Sequence, residues 1–460
     1  MKISIFIEHD AVIRHFVNSE SFKDLVKAHD VTFVFPPVGY KRVKTDVSQL
    51  PLGASYRHLN VHQTRLMYQR RMFLVDRLRF RPGKHFATLR KLYRLALNEF
   101  KGEWSKNVLN YTWYGLPVIN TWFKAREIKR LKGIPNEELD NLINELKPDV
   151  IVHPCVLEGV FLNDLVEISK RLDVPLVVIM NSWDNPCTKQ AMLGQPDWLL
   201  VWGEQTKRHA LTFMHADPER VVEFGAAQFE IYREPARINR HEFCRIHNID
   251  PSNKILLYAG SSKETDEFEH LLTLEKAIES GLFNQLVVVY RPHPWGNGGK
   301  DGKRIIDYPW QHVRIESHMR PYLEQIKKGD LTAWYPSYKD AQDTLSSIDM
   351  LMSPLSTIIL EAAMMGKPVM CYMADDEKEA QHFQLVAPLA HFEDMLAIPE
   401  VVVATGKNEL TEGVARLIKN QERPGFQDQL KKACDFFVKP HAEPYSKRLV
   451  TFLEQVHSGK

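Results

Sequence analysis

The stretch SPLSTIILEAAMMGKPV, residues 353–369, contains the junctions that decide the fold. It begins at the end of an apolar run typical of a buried strand, DMLMS, and a hydroxyl-rich turn leads from there into an apolar segment of helical length. Gly366 is predicted to end that helix, because glycine is favoured just past a helix C-terminus. The residues KPV then begin another strand. A strand, a helix and a strand in this order predict one unit of a parallel sheet covered by helices.

The same alternation of strand and helix runs through most of the chain, in two series. The strand-like runs of the first series are ISIFI, VTFVF, DVIVH, PLVVIM, WLLVW and RVVEF. Those of the second series are KILLYAG, QLVVVY, HVRIE, DMLMS, KPVMCY and EVVVAT. A polar stretch with Gly and Pro near residues 228–240 separates the two series. We therefore predict an N-terminal Rossmann-like domain over residues 1–232 and a C-terminal Rossmann-like domain over 233–440. A terminal amphipathic helix over 441–460 is predicted to pack back on the first domain.

Composition places the chain among globular proteins with a large core. Its 460 residues exceed the size that one hydrophobic core usually serves, which predicts two domains. Hydrophobic residues make up 44% and charged residues 26%, and the net charge of +2 indicates no global partner.

The N-terminal apolar run is too short for a signal peptide, and no run has the length of a spanning helix. The scattered cysteines form no C-x-x-C pair, so we expect a protein of the reducing cytoplasm, with attachment to the inner face of the membrane as a second reading.

One segment departs from the alternation and is predicted to be a basic helical insertion at about residues 62–130. Within it, residues 65–106 are dense in Arg and Lys, with Leu, Phe, Tyr and Met interleaved and few acids. Such a segment suits an electropositive lip for an anionic acceptor, or a surface that docks on an anionic membrane. A solvated helical face with an apolar core side is the simpler interpretation. Nucleic acid is not expected as a partner, because the overall charge is balanced and no recognition motif accompanies the segment.

The turn before the predicted helix of the opening stretch has the features of a phosphate site. A helix N-terminus presents unpaired N–H groups and the positive end of the helix dipole, and Ser356 and Thr357 add hydroxyl donors there. Glu361 lies four residues after Thr357 on about the same face, where its carboxylate could accept both hydroxyls of a ribose. The alternatives are that Ser356 caps the helix and that Glu361 is solvated. The apolar residues around Glu361 favour the ribose contact, because an acid without a partner there is costly.

Two further loops follow strands of the second series. In RPHP, Arg291 and His293 come directly after QLVVVY, at the carboxyl edge of a sheet, where ligands bind in α/β folds. Arginine matches phosphate with paired donors and an imidazole donates one more hydrogen bond, although a lone His in such a loop is usually structural. The loop after KILLYAG contains Ser261, Ser262 and Lys263. Its composition suits a phosphate, but it lacks the spacing of a P-loop and the G-x-G-x-x-G fingerprint.

These motifs give the chain a family resemblance. With RPHP in one loop and SPLSTIILEAAMMGKPV near the end of the second domain, the chain resembles the GT-B superfamily of glycosyltransferases. In particular it is similar to bacterial transferases of capsule and lipopolysaccharide assembly that have an HP motif and a later serine motif. The stretches SWDN, PDWLLVWGEQTKRHA and ERVVEFGAAQFE are similar to the end of the first domain in such enzymes. The resemblance covers most of the chain in architecture, while the motifs occupy a small part of it.

The resemblance implies an α/β protein of the GT-B fold, with two Rossmann-like domains facing across a cleft. It implies that the second domain holds a nucleotide sugar and that the first holds a glycan or lipid-linked glycan acceptor. The implied donor contacts are Arg291, His293, Ser356 and Thr357 to phosphate and Glu361 to ribose, with Ser353, Ser261, Ser262 and Lys263 beside them.

The chain also departs from parts of the family pattern. It has no DDG or EDG triplet of the kind that sialyltransferase branches use, which argues against a sialic acid donor. No D-x-D motif follows a strand, and Asp375 and Asp376 fit a solvated loop. Neither a metal nor another cofactor is therefore expected, since the helix dipole and cationic side chains can stabilise the leaving group.

The transfer needs a base for the acceptor hydroxyl, and the first domain offers three candidates. His9 and Asp10 follow the first strand, and Asp184 lies in the stretch NSWDNP. All three are placed at strand ends, from which they could reach the acceptor. Asp10 could instead cap the helix that starts at Ala11, and Asp184 could hold an Asx-turn before Pro186.

Arg14 and His15 lie one turn beyond Asp10 and are candidates for orienting an anionic acceptor, although a surface role is the simpler reading. The leading hypothesis is therefore transfer, inverting or retaining, of a sugar from a nucleotide sugar to a growing cell-surface glycan. The alternatives are a nucleotide-sugar epimerase, a CDP-glycerol or CDP-ribitol phosphotransferase of the same fold, and a non-catalytic glycan-binding protein. The sequence leaves open the nucleotide base, the sugar, the acceptor and the oligomeric state.

Overall fold

The structure, a computed structural model, describes residues 1–99, 113–157, 159–189, 192–260, 265–294, 302–329, 336–374 and 381–459. Contacts divide the chain into two compact units. The first contains Met1–Glu230, Leu389–His391 and Phe436–Lys460, and the second contains Ile231–Pro388 and Phe392–Asp435.

A parallel sheet forms the centre of the first unit. Its strands are β1 (Lys2–Phe6), β2 (Asp30–Phe35), β3 (Ser55–His58), β4 (Val150–Cys155), β5 (Leu176–Met180), β6 (Trp198–Val201) and β7 (Val221–Glu223). They lie in the order β3-β2-β1-β4-β5-β6-β7, and neighbouring strands are parallel. The chain runs outward from β1 to β3 and then returns to β4 on the other side of β1. The strand order therefore reverses between β1 and β4, which is where ligands bind in open α/β sheets.

The second unit repeats this plan with a smaller parallel sheet. Its strands are β8 (Lys254–Ala259), β9 (Leu286–Arg291), β10 (Val313–Ile315), β11 (Met350–Ser353), β12 (Val369–Met373) and β13 (Val402–Thr405). They lie in the order β10-β9-β8-β11-β12-β13, with parallel neighbours throughout. The strand order reverses between β8 and β11. Three of these six strands, β9, β11 and β12, are buried along their whole length, which explains their nearly continuous apolar sequences.

Helices connect the strands of both units. In the first unit the α-helices are Asp10–Val12, Lys23–Ala28, Gln63–Leu78, Lys84–Glu99, Pro117–Lys132, Glu137–Leu146, Leu162–Leu172, Asn185–Thr188, Glu204–Met214 and Tyr445–Ser458. In the second they are Arg240–His247, Glu267–Glu279, Gly302–Asp307, Arg320–Lys327, Tyr338–Ser347, Thr357–Met364, Gln381–Val386, Glu409–Glu422 and Phe426–Cys434, and the helix Ala390–Leu396 crosses from one unit to the other. Short 3₁₀ turns lie at Val47–Gln49, Pro218–Arg220, Ala227–Arg233 and Ser317–Met319, and a π-helical turn lies at Ile13–Val17.

The terminal helix Tyr445–Ser458 packs into the core of the first unit, as the sequence predicted. Its apolar face, including Leu449 and Leu453, is fully buried in the same cluster as Ile5 of β1 and Val152 of β4. The hydroxyl of Ser446 also donates a hydrogen bond of 2.6 Å to Asp24. The end of the chain is therefore part of the first unit's hydrophobic core.

The described part of the basic insertion is helical, as predicted. It contains the helices Gln63–Leu78, Lys84–Glu99 and Pro117–Lys132. Arg65 in the first of these is buried and donates through Nε to the buried Asp164 at 2.8 Å. Among the described helices, none combines the length and the apolar character that crossing a membrane requires.

Candidate functional site

The predicted donor residues of the second unit follow the strands on either side of the reversal point. The sheet register places Ala259, the last residue of β8, opposite Arg291, the last residue of β9. On the other side of β8, Met352 of β11 pairs with Tyr258. Because the three strands are parallel, the segments that follow Ala259, Arg291 and Ser353 leave the sheet at one edge.

Arg291 is buried at this edge with incomplete pairing. It is 6% exposed, and its Nη1 lies 3.8 Å from Oε1 of Glu316, which is itself fully buried. Glu316 accepts a hydrogen bond of 2.8 Å from the hydroxyl of Thr344. Among the described residues, neither Nη1 of Arg291 nor Oε2 of Glu316 has a hydrogen-bond partner. The guanidinium is therefore held in place with a donor available for an added anion.

Two serines precede the helix Thr357–Met364, and neither hydroxyl caps it within the described part of the chain. Ser353, at the end of β11, is fully buried, and its hydroxyl has no hydrogen-bond partner in the described part of the chain. Ser356 is the N-cap residue with extended backbone angles, but its side chain makes no capping hydrogen bond. The capping role considered for the Ser356 hydroxyl is therefore wrong. Thr357 is the first residue of the helix and is partly exposed.

Glu361 has a protein partner that the sequence analysis did not foresee. The hydroxyl of Tyr232 donates a hydrogen bond to its Oε2. Burial, and secondarily the Glu361 carboxylate, raise the pKa of Tyr232 well above its usual value, so the phenol keeps its proton and remains a donor. The premise that Glu361 has no partner within the protein is wrong, while its assignment to a ribose stays a prediction.

Of the remaining predicted donor residues, the structure describes only His293. His293 lies two residues beyond the end of β9 and is partly exposed. Ser261, Ser262 and Lys263 lie outside the described residues, as do Asp375 and Asp376. Their predicted roles stay predictions.

Close packing explains the glycine that begins the loop after β8. An added Cβ at Gly260 would lie 2.6 Å from Oε2 of Glu267. Glu267 is 3% exposed and accepts a hydrogen bond from the hydroxyl of Tyr290. A side chain at position 260 would therefore displace a buried carboxylate at the edge where the donor loops begin.

In the first unit, a buried carboxylate lies at the point where strand order reverses. Glu8 follows β1 and accepts hydrogen bonds through Oε2 from the backbone N–H groups of Val160 and Phe161. Its Oε1 lies 3.6 Å from Nε2 of the buried His153, whose Nδ1 is 2.9 Å from the carbonyl oxygen of Phe6. Burial by itself raises the pKa of this carboxyl, but His153 and the two N–H groups together lower it below its usual value. Glu8 is therefore an ionised anchor between the loops after β1 and β4.

The structure changes the interpretation of His9 and Asp10. His9, not Asp10, caps the helix Asp10–Val12, because its Nδ1 accepts the N–H of Ala11 at 3.0 Å. Burial lowers the pKa of His9, so the neutral ring has its proton on Nε2 and presents a donor there. The Asp10 carboxylate accepts hydrogen bonds from the N–H of Lys44 (2.9 Å), the N–H of Thr45 (3.1 Å) and the Thr45 hydroxyl (2.7 Å). Both residues therefore have structural roles that compete with their predicted role as base.

Asp184 is the third candidate base. It is partly exposed and accepts hydrogen bonds from the hydroxyl of Thr188 at 3.0 Å and from Nδ2 of Asn185 at 3.2 Å. It occupies the N-cap position of the helix Asn185–Thr188 without a side-chain capping bond, so the capping contact of an Asx-turn is absent. Its role as base stays a prediction.

The two acceptor candidates differ in charge. Arg14 and His15 both lie in the π-helical turn Ile13–Val17. Burial, with a contribution from Arg14, lowers the pKa of His15 to about 3. His15 is therefore uncharged at physiological pH. The roles of Arg14 and His15 in orienting an acceptor stay predictions.

The loop after β2 brings further cations to the same edge of the first sheet. The carbonyl oxygen of Arg42 accepts the N–H of Asp10 at 2.9 Å, which joins the loops after β1 and β2. Repulsion from Arg70 is the main cause that lowers the pKa of Lys41. Burial and then repulsion from Arg42 lower it further. Positive charge is thus concentrated here by Lys41, Arg42 and Arg70. The sequence did not predict this grouping, because Lys41 and Arg42 are far in sequence from Arg70.

A group of possible metal ligands occurs elsewhere in the second unit. The ligand atoms of His318, Asp340 and Asp343 lie within 4.8 Å of one another. The guanidinium of Arg237, however, forms ion pairs of 2.6 Å with both aspartates. This arginine supplies the positive charge that a metal ion would bring, so we assign no metal to the group.

Three residues with buried contacts at the candidate sites were not predicted from the sequence: Tyr232, Glu316 and Glu8. Tyr232 lies in the stretch FEIYREP, which looks like a linker, and Glu316 follows a short strand. Glu8 offered a signal, since it is an acid directly after the apolar run of the first strand. For the other two, the partner residues are so far away in sequence that no local pattern joins them.

Comparison with known proteins identifies the fold. The chain is similar to a Listeria monocytogenes protein provisionally assigned as a UDP-N-acetylglucosamine 2-epimerase, with a TM-score of 0.51 and 10% identity over 100% of this chain and 97% of that one. It is also similar to a variant of the wall teichoic acid polymerase TagF, with a TM-score of 0.50 and 10% identity over 100% and 89%. A UDP-GlcNAc 2-epimerase from Neisseria meningitidis, solved with UDP-GlcNAc bound, has a TM-score of 0.48 and 12% identity over 99% and 100%.

No protein-family profile matches the chain, and no curated protein sequence does. The likeness in structure spans the whole chain, and each unit is a parallel sheet with connecting helices. The protein therefore has the two-domain α/β architecture of GT-B fold enzymes, as the sequence predicted.

Proposed function

We propose that this protein is a glycosyltransferase that moves a sugar from a nucleotide sugar to a cell-surface glycan acceptor. The observation that carries the proposal is the buried Arg291 at the carboxyl end of β9, whose Nη1 has no hydrogen-bond partner among the described residues. Leaving a buried cationic donor unsatisfied is costly. A phosphate group of the donor would supply the missing acceptor with the geometry that guanidinium prefers.

The residues after β11 support the same donor. The Ser353 hydroxyl is buried without a partner in the described chain, and the Ser356 hydroxyl is not used in capping. Both lie beside a helix N-terminus, which favours negative charge. Glu361, one turn into that helix, is the proposed partner of the ribose, and Tyr232 holds one of its oxygens. His293 and the loop residues Ser261, Ser262 and Lys263 complete the proposed donor set.

The first unit supports an acceptor with negative charge. Arg14, Lys41, Arg42 and Arg70 bring positive charge to the carboxyl edge of its sheet, at or beside the loops after β1 and β2. A charged acceptor such as a glycan with carboxylate or phosphate groups would relieve the repulsion among these cations. The cytoplasmic location expected from the cysteines is part of this proposal.

The catalytic step needs a base, and the contacts favour Asp184 over the other two candidates. Nδ1 of His9 is occupied by the N–H of Ala11, and Asp10 accepts three hydrogen bonds from its neighbours. Asp184 is partly exposed, and a carboxylate that accepts two bonds keeps lone pairs for an acceptor hydroxyl. Arg291 and the helix N-terminus would stabilise the charge on the departing nucleotide.

The test measures nucleotide affinity by calorimetry in a variant with Arg291→Ala and Glu316→Gln together. Removing Arg291 alone would leave Glu316 as an uncompensated buried charge and destabilise the protein. We expect affinity for the best-binding nucleotide to fall roughly 30-fold, or about 2 kcal/mol, the scale of a charge-assisted hydrogen bond.

Glu316→Gln alone is the matched control, and it should retain most of the affinity. Thermal unfolding of each variant shows whether the fold is intact. Equal nucleotide affinity in the wild type and the double variant would exclude Arg291 from the donor site and remove the main support for the proposal.

A nucleotide-sugar epimerase is the second candidate, because a solved protein of this fold is provisionally assigned that activity. An epimerase of this kind needs no acceptor. Incubation with the nucleotide sugar alone in deuterated water separates the two functions, since a transferase leaves the sugar carbons unlabelled while proton exchange labels them. The mass of the product formed with an acceptor distinguishes sugar transfer from transfer of glycerol phosphate or ribitol phosphate.

A further inference from the structure

Several large apolar side chains are exposed together in the helical insertion of the first unit. Trp113 is 54% exposed, Val118 is 82% exposed and Trp122 is 60% exposed. Leu116 and Phe80 are also among the exposed large hydrophobic residues. Single exposed apolar residues are ordinary, but a contiguous group marks an interaction surface.

Backbone contacts and helix geometry place these residues side by side. The N–H of Phe80 donates to the carbonyl oxygen of Gly115 at 2.8 Å, and an added Cβ at Gly115 would lie 2.3 Å from the Phe80 ring. Phe80 therefore touches the turn between Trp113 and Leu116. We call Phe80, Trp113, Leu116, Val118 and Trp122 the tryptophan surface.

Two residues of the tryptophan surface lie on the exposed face of the helix Pro117–Lys132. Val118 and Trp122 are four residues apart and share one face, on which Lys129 also lies. The opposite face contains the buried Asn120, Glu127 and Leu131. The inner face thus fixes the helix to the unit, and the outer face is left with apolar and basic groups.

The charges around the tryptophan surface are positive. The guanidinium carbon of Arg90 lies 4.0 Å from the centre of the Phe80 ring, and that of Arg126 lies 5.3 Å from the Trp122 ring. Lys129 is exposed on the outer face of the helix. The single acid of this helix, Glu127, is fully buried and paired with Arg126 and Arg130.

We propose that the tryptophan surface docks the protein on an anionic lipid bilayer. Tryptophan beside arginine and lysine is the combination that favours the boundary between lipid headgroups and acyl chains. The basic residues add attraction to anionic headgroups. The inference goes beyond the proposed function and does not depend on it.

A second copy of the chain fits this surface less well. A symmetric contact through the same face would bring Arg90, Arg126 and Lys129 opposite their own copies, which is repulsive. An anionic bilayer instead places negative charge against them. The membrane contact considered for residues 65–106 would therefore be centred on residues 113–122, with Phe80 and Arg90 at its edge.

The test measures co-sedimentation of the full protein with vesicles of phosphatidylcholine alone or mixed with phosphatidylglycerol. The wild type is expected to bind the mixed vesicles at least about tenfold more tightly than the neutral ones. Trp113→Ser with Trp122→Ser is expected to lower the affinity for mixed vesicles about tenfold or more, because two interfacial rings are lost. Lys129→Glu is expected to weaken binding to the mixed vesicles selectively.

Leu282→Ser is the matched control, since Leu282 is 60% exposed in the second unit and should not affect vesicle binding. Unchanged thermal unfolding of the tryptophan variant shows that the loss is not misfolding. Three results would overturn the proposal: equal binding to both vesicle types, unchanged binding of the tryptophan variant, or a fall in molecular mass in that variant by equilibrium sedimentation, which would identify a contact between copies.

Discussion

The contact between Tyr232 and Glu361 determines how the proposed ribose-binding carboxylate is oriented. The phenol donates to Oε2, and its own raised pKa keeps it protonated. An ionised carboxylate can accept about four hydrogen bonds, so one phenol does not exhaust it. Tyr232 therefore fixes the orientation of Glu361 and leaves acceptor capacity for a sugar.

Glu361→Gln should weaken the preference of the protein for ribose. We expect the wild type to bind its best nucleotide roughly tenfold more tightly than the 2′,3′-dideoxy analogue, because hydrogen bonds to a charged acceptor are lost with the hydroxyls. In Glu361→Gln this ratio should fall toward one. Calorimetric titration with both compounds measures it. Tyr232→Phe retains the carboxylate and should keep most of the preference, and a ratio that survives Glu361→Gln would exclude this residue from the sugar.

At the scale of elements, the junction between the helix Thr357–Met364 and β12 depends on one glycine. Gly366 follows the C-cap residue Met365 and has φ of +75°, a left-handed conformation that places the chain for the next strand. This is the conformation that glycine adopts without strain. Ser353 and Ser356 lie before the first turn of this helix, and Gly366 ends the helix at its other side.

Gly366→Ala should lower the free energy of unfolding by more than the same change at Gly281. Both glycines have φ near +80°, so each substitution carries a left-handed penalty of about 1–2 kcal/mol. At Gly366 the new Cβ would also lie 2.8 Å from Cε of Lys431 and 3.1 Å from Cβ of Gln427, whereas nothing lies within 4 Å at Gly281. Urea unfolding of both variants measures the difference, and equal losses would show that the neighbours of Gly366 move aside freely.

At the scale of the whole molecule, distant parts of the chain complete the first unit. Residues 389–391 belong to it, and the N–H of Ala390 donates to Nδ1 of His85 at 3.1 Å. Nε2 of His85 lies 3.1 Å from the carbonyl oxygen of Cys187. Burial lowers the pKa of His85 to about 4, so the ring is neutral in the folded protein. The basic insertion, the loop after β5 and a segment from the second half of the chain meet at this one imidazole.

This arrangement predicts a loss of stability in mild acid. The unfolded chain protonates His85 near pH 6.5 and the folded protein only near pH 4, so the free energy of unfolding falls as pH drops through that window. The contribution of this residue is roughly 3 kcal/mol over the window, with a slope of about 1.4 kcal/mol per pH unit. His85→Gln should flatten the dependence, as measured by urea unfolding at several pH values between 7 and 4. Parallel curves for the wild type and the variant would contradict this.

The sequence by itself determined the strands, because a parallel strand buried on both faces needs an apolar run. Each predicted run overlaps a strand of the structure. Among the described strands, only β3, Ser55–His58, has no predicted run, because its exposed residues SYRH carry no apolar pattern. The helix after Ser356 and the glycine at its end were also predictable, since capping positions and left-handed turns select residues locally. Local chemistry thus predicted the fold and located the loops of the candidate site.

Only the tertiary structure decided which charged and polar groups pair. Tyr232 reaches Glu361 across more than a hundred residues, Thr344 reaches Glu316, and Glu8 meets the start of the helix Leu162–Leu172. Nδ1 of His9 and the carboxylate of Asp10 accept backbone N–H groups in the folded protein, contacts that compete with the predicted role of these residues as base. Hydrogen bonding depends on distance in space, which sequence spacing does not encode beyond one or two turns of chain.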